Sequence, residues 1–170
     1  MKQVNLSLHY LVYDLPGDLP VADQELLKFA TEAISNAYAP YSGYKVGAAV
    51  LLENGQIIQG NNQENAAYPS GTCAERVALF YAASQYPDVS VKAVAVTAST
   101  DKFRVSDPVT PCGSCRQVMA ETEIRFGSSI RVIMRGETGK IYVVKGVNNL
   151  LPLMFHTDKL KKYIHETDLD

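Results

Sequence analysis

Apolar and polar positions along the chain fall into stretches of distinct period. Val4, Leu6, Leu8 and Tyr10 alternate with mostly polar neighbours, the two-residue period of a strand. Leu15-Pro16-Gly17-Asp18-Leu19-Pro20 breaks any regular structure after it. The period then lengthens. Leu26, Leu27, Phe29, Ala30, Ala33, Ile34 and Ala37 define one helix face, with Asp23 as candidate N-cap and Pro40 and Gly43 past its end. Val46 to Leu52 carries no polar side chain, so Lys45 to Leu52 reads as a strand buried on both faces. Glu53-Asn54-Gly55 signals a tight hairpin, and Gln56 to Gln59 returns as the partner strand. A second helix runs from about Cys73 to Ser84, with Val77, Ala78, Tyr81 and Ala82 toward the core. Val91 to Val96 is a buried strand, Cys112 to Glu121 a short helix, and Ile130 to Met134 and Ile141 to Val144 two further strands. Leu150-Leu151-Pro152 and Asp158 to Ile164 suggest one or two short helices at the end.

This order is helix, two strands, helix, strand, helix, two strands. Strands alternating with helices imply crossovers, hence an α/β fold with a partly parallel sheet covered on both faces. No repeat or linker divides the chain, so residues 21–170 read as one domain preceded by an extension, 1–20. That extension is either an added edge strand or an arm that packs on a partner subunit. Between the hairpin and the second helix lies a polar loop, Gly60 to Thr72, holding Asn61, Asn62, Gln63, Glu64 and Asn65. A loop that long in a compact domain is usually functional, and it reads as a substrate loop.

Composition narrows the function. The chain has 170 residues, 46% hydrophobic and 20% charged, enough for one domain with a real core. The net charge of -2 gives no general attraction for nucleic acid or acidic membranes. Lys159, Lys161 and Lys162 form the one compact basic cluster and read as a solvated helix face. Met1 to Pro20 lacks the charged-then-apolar order of a secretory signal, and Val46 to Leu52 is far short of a membrane span. Three cysteines, two of them in a Cys-x-x-Cys pair, argue for metal or redox chemistry over disulfides. A cytoplasmic location is the expectation.

Cys73 and the pair Cys112 and Cys115 both sit at expected helix N-termini. There the dipole and free amides favour the thiolate, the form that binds metal. Cys112 and Cys115, one helical turn apart, can grip one ion together. A zinc site closed by four protein ligands is structural, and one with an open position for water is catalytic. The sequence has no fourth cysteine, and its histidines, His9, His156 and His165, are distant in sequence, though a fold could bring one in. Glu75, two residues past Cys73, favours the open site, because a carboxylate there can move protons for a hydrolysis. Zinc with three thiolates carries net negative charge, which the guanidinium of Arg76 can offset. A thioredoxin-like redox protein accounts for Cys112-x-x-Cys115 but leaves Cys73 and Glu75 without a role. A non-catalytic zinc-stabilised binding module is the third reading.

Asn62-Gln63-Glu64-Asn65-Ala66-Ala67-Tyr68, Cys73-Ala74-Glu75-Arg76 and Pro111-Cys112-Gly113-Ser114-Cys115-Arg116-Gln117 together resemble the zinc-dependent cytidine deaminases, in particular the small homotetrameric type with three cysteine ligands. Pro40 to Ala49 and Leu150-Leu151-Pro152 are similar as well, so the resemblance spans about Val21 to Phe155. It implies a three-layer α-β-α fold with a five-stranded mixed sheet. It also implies one Zn(II) per chain on Cys73, Cys112 and Cys115. The activity implied is hydrolytic deamination of cytidine and 2'-deoxycytidine in pyrimidine salvage, by attack of zinc-bound hydroxide on C4 with Glu75 as proton shuttle. Asn62 and Glu64 would hold the ribose 3'-hydroxyl, while Tyr44, Tyr68, Ala74 and Phe155 would line the substrate site, Tyr68 and Phe155 that of a neighbouring subunit. Arg76, steadied by Gln117, would donate to the ligand sulfurs. A homotetramer with active sites at subunit interfaces is implied too. Tyr44 departs from the Phe usual in the family at that place, and its hydroxyl needs a partner if buried.

Overall fold

The computed structural model describes residues 1–156. The helix expected over Asp158 to Ile164, the three lysines within it and His165 lie outside the described residues. The elements are β1 (Leu11–Tyr13), α1 (Val21–Ala33), β2 (Lys45–Leu52), β3 (Ile57–Asn61), α2 (Ala74–Gln85), β4 (Val91–Ser99), α3 (Gly113–Phe126), β5 (Arg131–Arg135) and β6 (Ile141–Lys145). One mixed sheet runs in the order β1-β6-β5-β4-β2-β3. Only β4 and β5 are parallel, joined by the crossover through α3. The other neighbours are antiparallel.

Side-chain alternation along the strands builds two cores, which gives the expected three layers. On one face Ala49, Ala93, Ala95 and Ile133 meet Leu26, Leu27 and Ala30 of α1. On the other, Val50, Val94, Val96 and Met134 meet Ala78, Leu79 and Met119 of α2 and α3. The small residues on the first face let α1 approach closely. A Cβ at Gly47 would stand 2.0 Å from the Ala30 carbonyl oxygen. Gly60 serves α2 in the same way, since a Cβ there would stand 2.4 Å from the Ala74 carbonyl oxygen. That contact lays the first turn of α2, and with it Cys73 and Glu75, directly on β3.

Four expectations are corrected. The sheet has six strands rather than five, because residues of the extension form β1 and pair with β6 through Leu11 and Val143, Val12 and Tyr142, and Tyr13 and Ile141. The alternating stretch Val4 to Tyr10 is not itself the strand: Val4, Leu6 and Leu8 stay exposed, and only the Tyr10 ring finds a partner, Tyr142, at 4.9 Å. Asp23 does not cap α1. It sits inside the first turn, buried, where both oxygens accept from Nε of Arg131 at 3.0 and 3.1 Å. Tyr81 is exposed, and α2 buries Ala74, Glu75, Ala78, Leu79 and Ala82 instead. Val77 to Ala82 is apolar all round, so periodicity alone does not select its buried face. Among the described residues, no helix is long and apolar enough to cross a membrane.

Candidate active site

Two helix starts converge. Cys73 is the N-cap of α2 and Cys112 the N-cap of α3, each with extended backbone angles. Their carbonyls accept from Val77 N at 3.1 Å and Arg116 N at 3.0 Å, which locks both cysteines into the opening turns. Cys115 lies one turn into α3 and is fully buried. The Sγ atoms of Cys73 and Cys112 are 3.9 Å apart, those of Cys112 and Cys115 3.5 Å, and all three lie within 4.8 Å of one another. Tetrahedral zinc with Zn–S bonds of about 2.3 Å holds its sulfurs roughly 3.8 Å apart, so these three fit one zinc ion. Among the described residues the cluster includes no histidine. His9 sits on the exposed N-terminal stretch beside Ser7, and His156 is exposed.

The electrostatics favour a metal. The Cys73 thiol is pulled down to about 5, chiefly by the hydrogen bond from Cys115 and further by Arg76, whose Nη2 donates to its sulfur at 3.8 Å. The proton shared with Cys73, together with burial, pushes Cys115 upward. Thiols crowded in this way exchange a proton among themselves until a cation takes its place. Glu75 is only 4% exposed. Burial, reinforced by the charge on Cys73, raises its carboxyl above the ordinary carboxylate value. A raised carboxyl beside a metal site is suited to taking up and returning protons near neutral pH.

Cys73 and Cys112 open onto a cleft of about 610 Å³, with Cys115 buried behind them. Tyr44, Asn62, Glu64, Tyr68, Ala74 and Glu75 all line it, so the structure brings these expected residues together with the cysteines. Glu64 Oε2 accepts from Tyr41 N at 2.9 Å and Ser42 N at 3.2 Å, and its Oε1 accepts from Ser42 Oγ at 2.5 Å. These donors, led by the Ser42 hydroxyl, hold its carboxyl below the usual value. Asn62 Oδ1 accepts from Val46 N at 2.8 Å, and its Nδ2 donates to the Tyr44 carbonyl at 2.9 Å, tying the loop to the start of β2. The Tyr44 ring lies 6.5 Å from Phe103, tilted by 32°, and burial raises its hydroxyl pKa.

Phe155, expected at a neighbouring subunit's site, is 62% exposed and lies outside this chain's own cleft. The Gln117 amide donates to the Phe155 carbonyl at 3.1 Å, rather than steadying Arg76. Arg76 Nε is buried without a hydrogen-bond partner among the described residues. The sequence also left features of the site unread. Val109 and Thr110 complete the wall beside Cys112. Arg116 clamps Pro111 O and Leu150 O, each at 2.7 Å, fixing the approach to Cys112. Ser42 lies within the Pro40 to Ala49 segment, but its contacts with Glu64 span 22 positions and have no local signal.

Three thiols spaced for zinc, a buried carboxylate beside them and an open cleft define a zinc-dependent hydrolase, and the comparisons narrow that class. Residues 20–127 match the family model for the cytidine and deoxycytidylate deaminase zinc-binding region. The cytidine deaminase of Halalkalibacterium halodurans is 51% identical over 142 residues, spanning 81% of this chain and 96% of that protein. The probable cytidine deaminase of Dictyostelium discoideum is 34% identical over 143 residues, 81% of this chain and 89% of its own. The crystal structure of cytidine deaminase from Burkholderia pseudomallei superposes with a TM-score of 0.66 at 37% identity, covering 77% of this chain and 97% of that one. The chain belongs to the zinc-dependent cytidine deaminase family, whose chemistry is hydrolytic deamination.

Proposed function

We propose that this chain hydrolyses cytidine and 2'-deoxycytidine to uridine and 2'-deoxyuridine with release of ammonia. The observation that carries the reading is buried Glu75 in the same cleft as Cys73 and Cys112, with Asn62 and Glu64 also on its wall. Cys73, Cys112 and Cys115 would hold the zinc, which when bound acidifies water toward neutral pH and supplies the nucleophile. Glu75 would take up a proton from the attacking water and deliver it to N3 of the pyrimidine. With the water oxygen bonded to C4, Glu75 would carry its second proton to the amino nitrogen, so that the C4–N bond breaks, the C4 carbonyl forms and ammonia leaves. Burial keeps Glu75 shielded from bulk solvent through these transfers. The helix N-termini and Arg76 stabilise the sulfur charge without entering the proton path.

Glu64 and Asn62 would face the ribose 3'-hydroxyl. Each is already oriented by backbone bonds yet keeps free lone pairs or an N–H for a ligand. Tyr44 would flank the base. Tyr68, 79% exposed at the rim, and Phe155, 62% exposed, would each serve the site of a neighbouring subunit in a homotetramer. The direct test is the loss of ultraviolet absorbance when zinc-loaded protein meets cytidine, deoxycytidine, cytosine or CMP. Turnover of the two nucleosides well above the other compounds is expected. Turnover of neither nucleoside would overturn the reading.

A further inference from the structure

We propose that Lys102 is a positioning residue for substrate binding, holding the Tyr41–Tyr44 turn in place from the loop that joins β4 to α3. The inference rests on the reading of the cleft as a nucleoside site. The turn forms one wall of that cleft through Tyr41, Ser42 and Tyr44. Its middle residue, Gly43, has a φ of 69°, a left-handed conformation that leaves the turn without the support of regular structure. Besides the Asn62 bond to the Tyr44 carbonyl and the bond from Gly43 N to the Ala39 carbonyl, two attachments converge on Ser42. The first is Glu64, which takes Tyr41 N, Ser42 N and Ser42 Oγ, while Ser42 Oγ accepts from Tyr44 N at 2.9 Å. The second comes from the opposite direction: Lys102 Nζ donates to the Ser42 carbonyl at 2.6 Å.

Ser42 thereby has its amide, its hydroxyl and its carbonyl all bound, two from the β3–α2 loop and one from the β4–α3 loop. An exposed lysine is ordinarily a solvated charge. Here the side chain reaches a residue 60 positions away. The lysine stem passes close over Gly43, where a Cβ would stand 3.3 Å from Lys102 Cε. The next residue, Phe103, tilts against the Tyr44 ring, so residues 102 and 103 brace the turn at both its carbonyl and its aromatic end. Lys102 is also the cation that helps hold Glu64 ionised, after the Ser42 and Tyr41 bonds. It does not line the cleft, so it acts through Ser42, Glu64 and Tyr44 rather than on the substrate.

The test compares Lys102→Met, which keeps the stem and removes the donors, with Lys102→Arg, both as zinc-loaded full chains. With cytidine, Lys102→Met is expected to raise KM about fivefold to twentyfold, in keeping with a lost charge-assisted hydrogen bond, with kcat within about twofold of wild type. Lys102→Arg is expected to recover most of the KM, and zinc content is expected to be unchanged in both. With 3'-deoxycytidine the gap between wild type and Lys102→Met is expected to shrink, because the group that reads Glu64 is gone. A Lys102→Met enzyme with wild-type KM, or one that loses kcat at constant KM, would overturn the proposal. A wild-type protein that turns over no nucleoside would instead overturn the underlying reading, and this inference with it.

Discussion

The zinc corner and the turn at residues 41–44 face the same cleft but are held by different means. The corner grows from the first turns of α2 and α3, whose later turns are buried through Ala78, Leu79, Met119 and Ala120. Its functional groups inherit the rigidity of the core, and Cys115 and Glu75 are themselves buried. The turn has no such backing. Tyr41 and Ser42 are exposed or partly so, and side-chain bonds from Glu64, Asn62 and Lys102 hold the segment. Groups that perform chemistry need fixed geometry at the reacting atoms, which packed helices supply. Groups that recognise a substrate can be carried by loops tuned one hydrogen bond at a time. Damage to the corner should therefore appear in metal content and kcat, and damage to the turn in KM.

Cys112→Ser attacks the corner at the junction of the two helices. Bound zinc is expected to fall well below one per chain, turnover to drop to background and the melting temperature to fall, because metal binding and folding are coupled. Elemental analysis and thermal unfolding on the same sample check this. A variant that keeps stoichiometric zinc would break the assignment of Cys112 as a ligand. Ser42→Ala removes the hydroxyl that both bonds Glu64 and accepts from Tyr44 N. A KM increase of roughly threefold to tenfold is expected, with kcat and zinc content nearly unchanged, as suits the loss of one or two modest hydrogen bonds. A fall in kcat at constant KM would erase the proposed contrast between the two regions.

The same contrast explains how much the sequence disclosed. The corner was legible because its residues are close in sequence to strong helix-start signals: Cys73, Glu75 and Arg76 fall within one turn, as do Cys112 and Cys115. The β2–β3 hairpin was legible for the same reason, with Gly55 at a φ of 84° where Asn54-Gly55 signalled it. What stayed hidden depends on long-range contacts. The pairing of Asp23 with Arg131 spans 108 positions and converts an apparent helix cap into a part-buried ion pair. The bond from Lys102 to Ser42 crosses 60 positions between two loops. At the N-terminus the alternation of Val4 to Tyr10 was genuine, but the ladder with β6 takes up Leu11 to Tyr13 instead. In α2, an unbroken apolar run concealed which face would be buried, so Leu79 went unread and Tyr81 was misplaced.

Glu75→Gln tests the division of labour most directly, because it keeps the size of the side chain and removes only its capacity to take up and release a proton. Zinc content and steady-state turnover of cytidine, measured on the same preparation, should give about one zinc per chain and a kcat lowered roughly 10³–10⁴-fold. A zinc-loaded Glu75→Gln enzyme with kcat within tenfold of wild type would contradict the role of Glu75 as the proton carrier of the site.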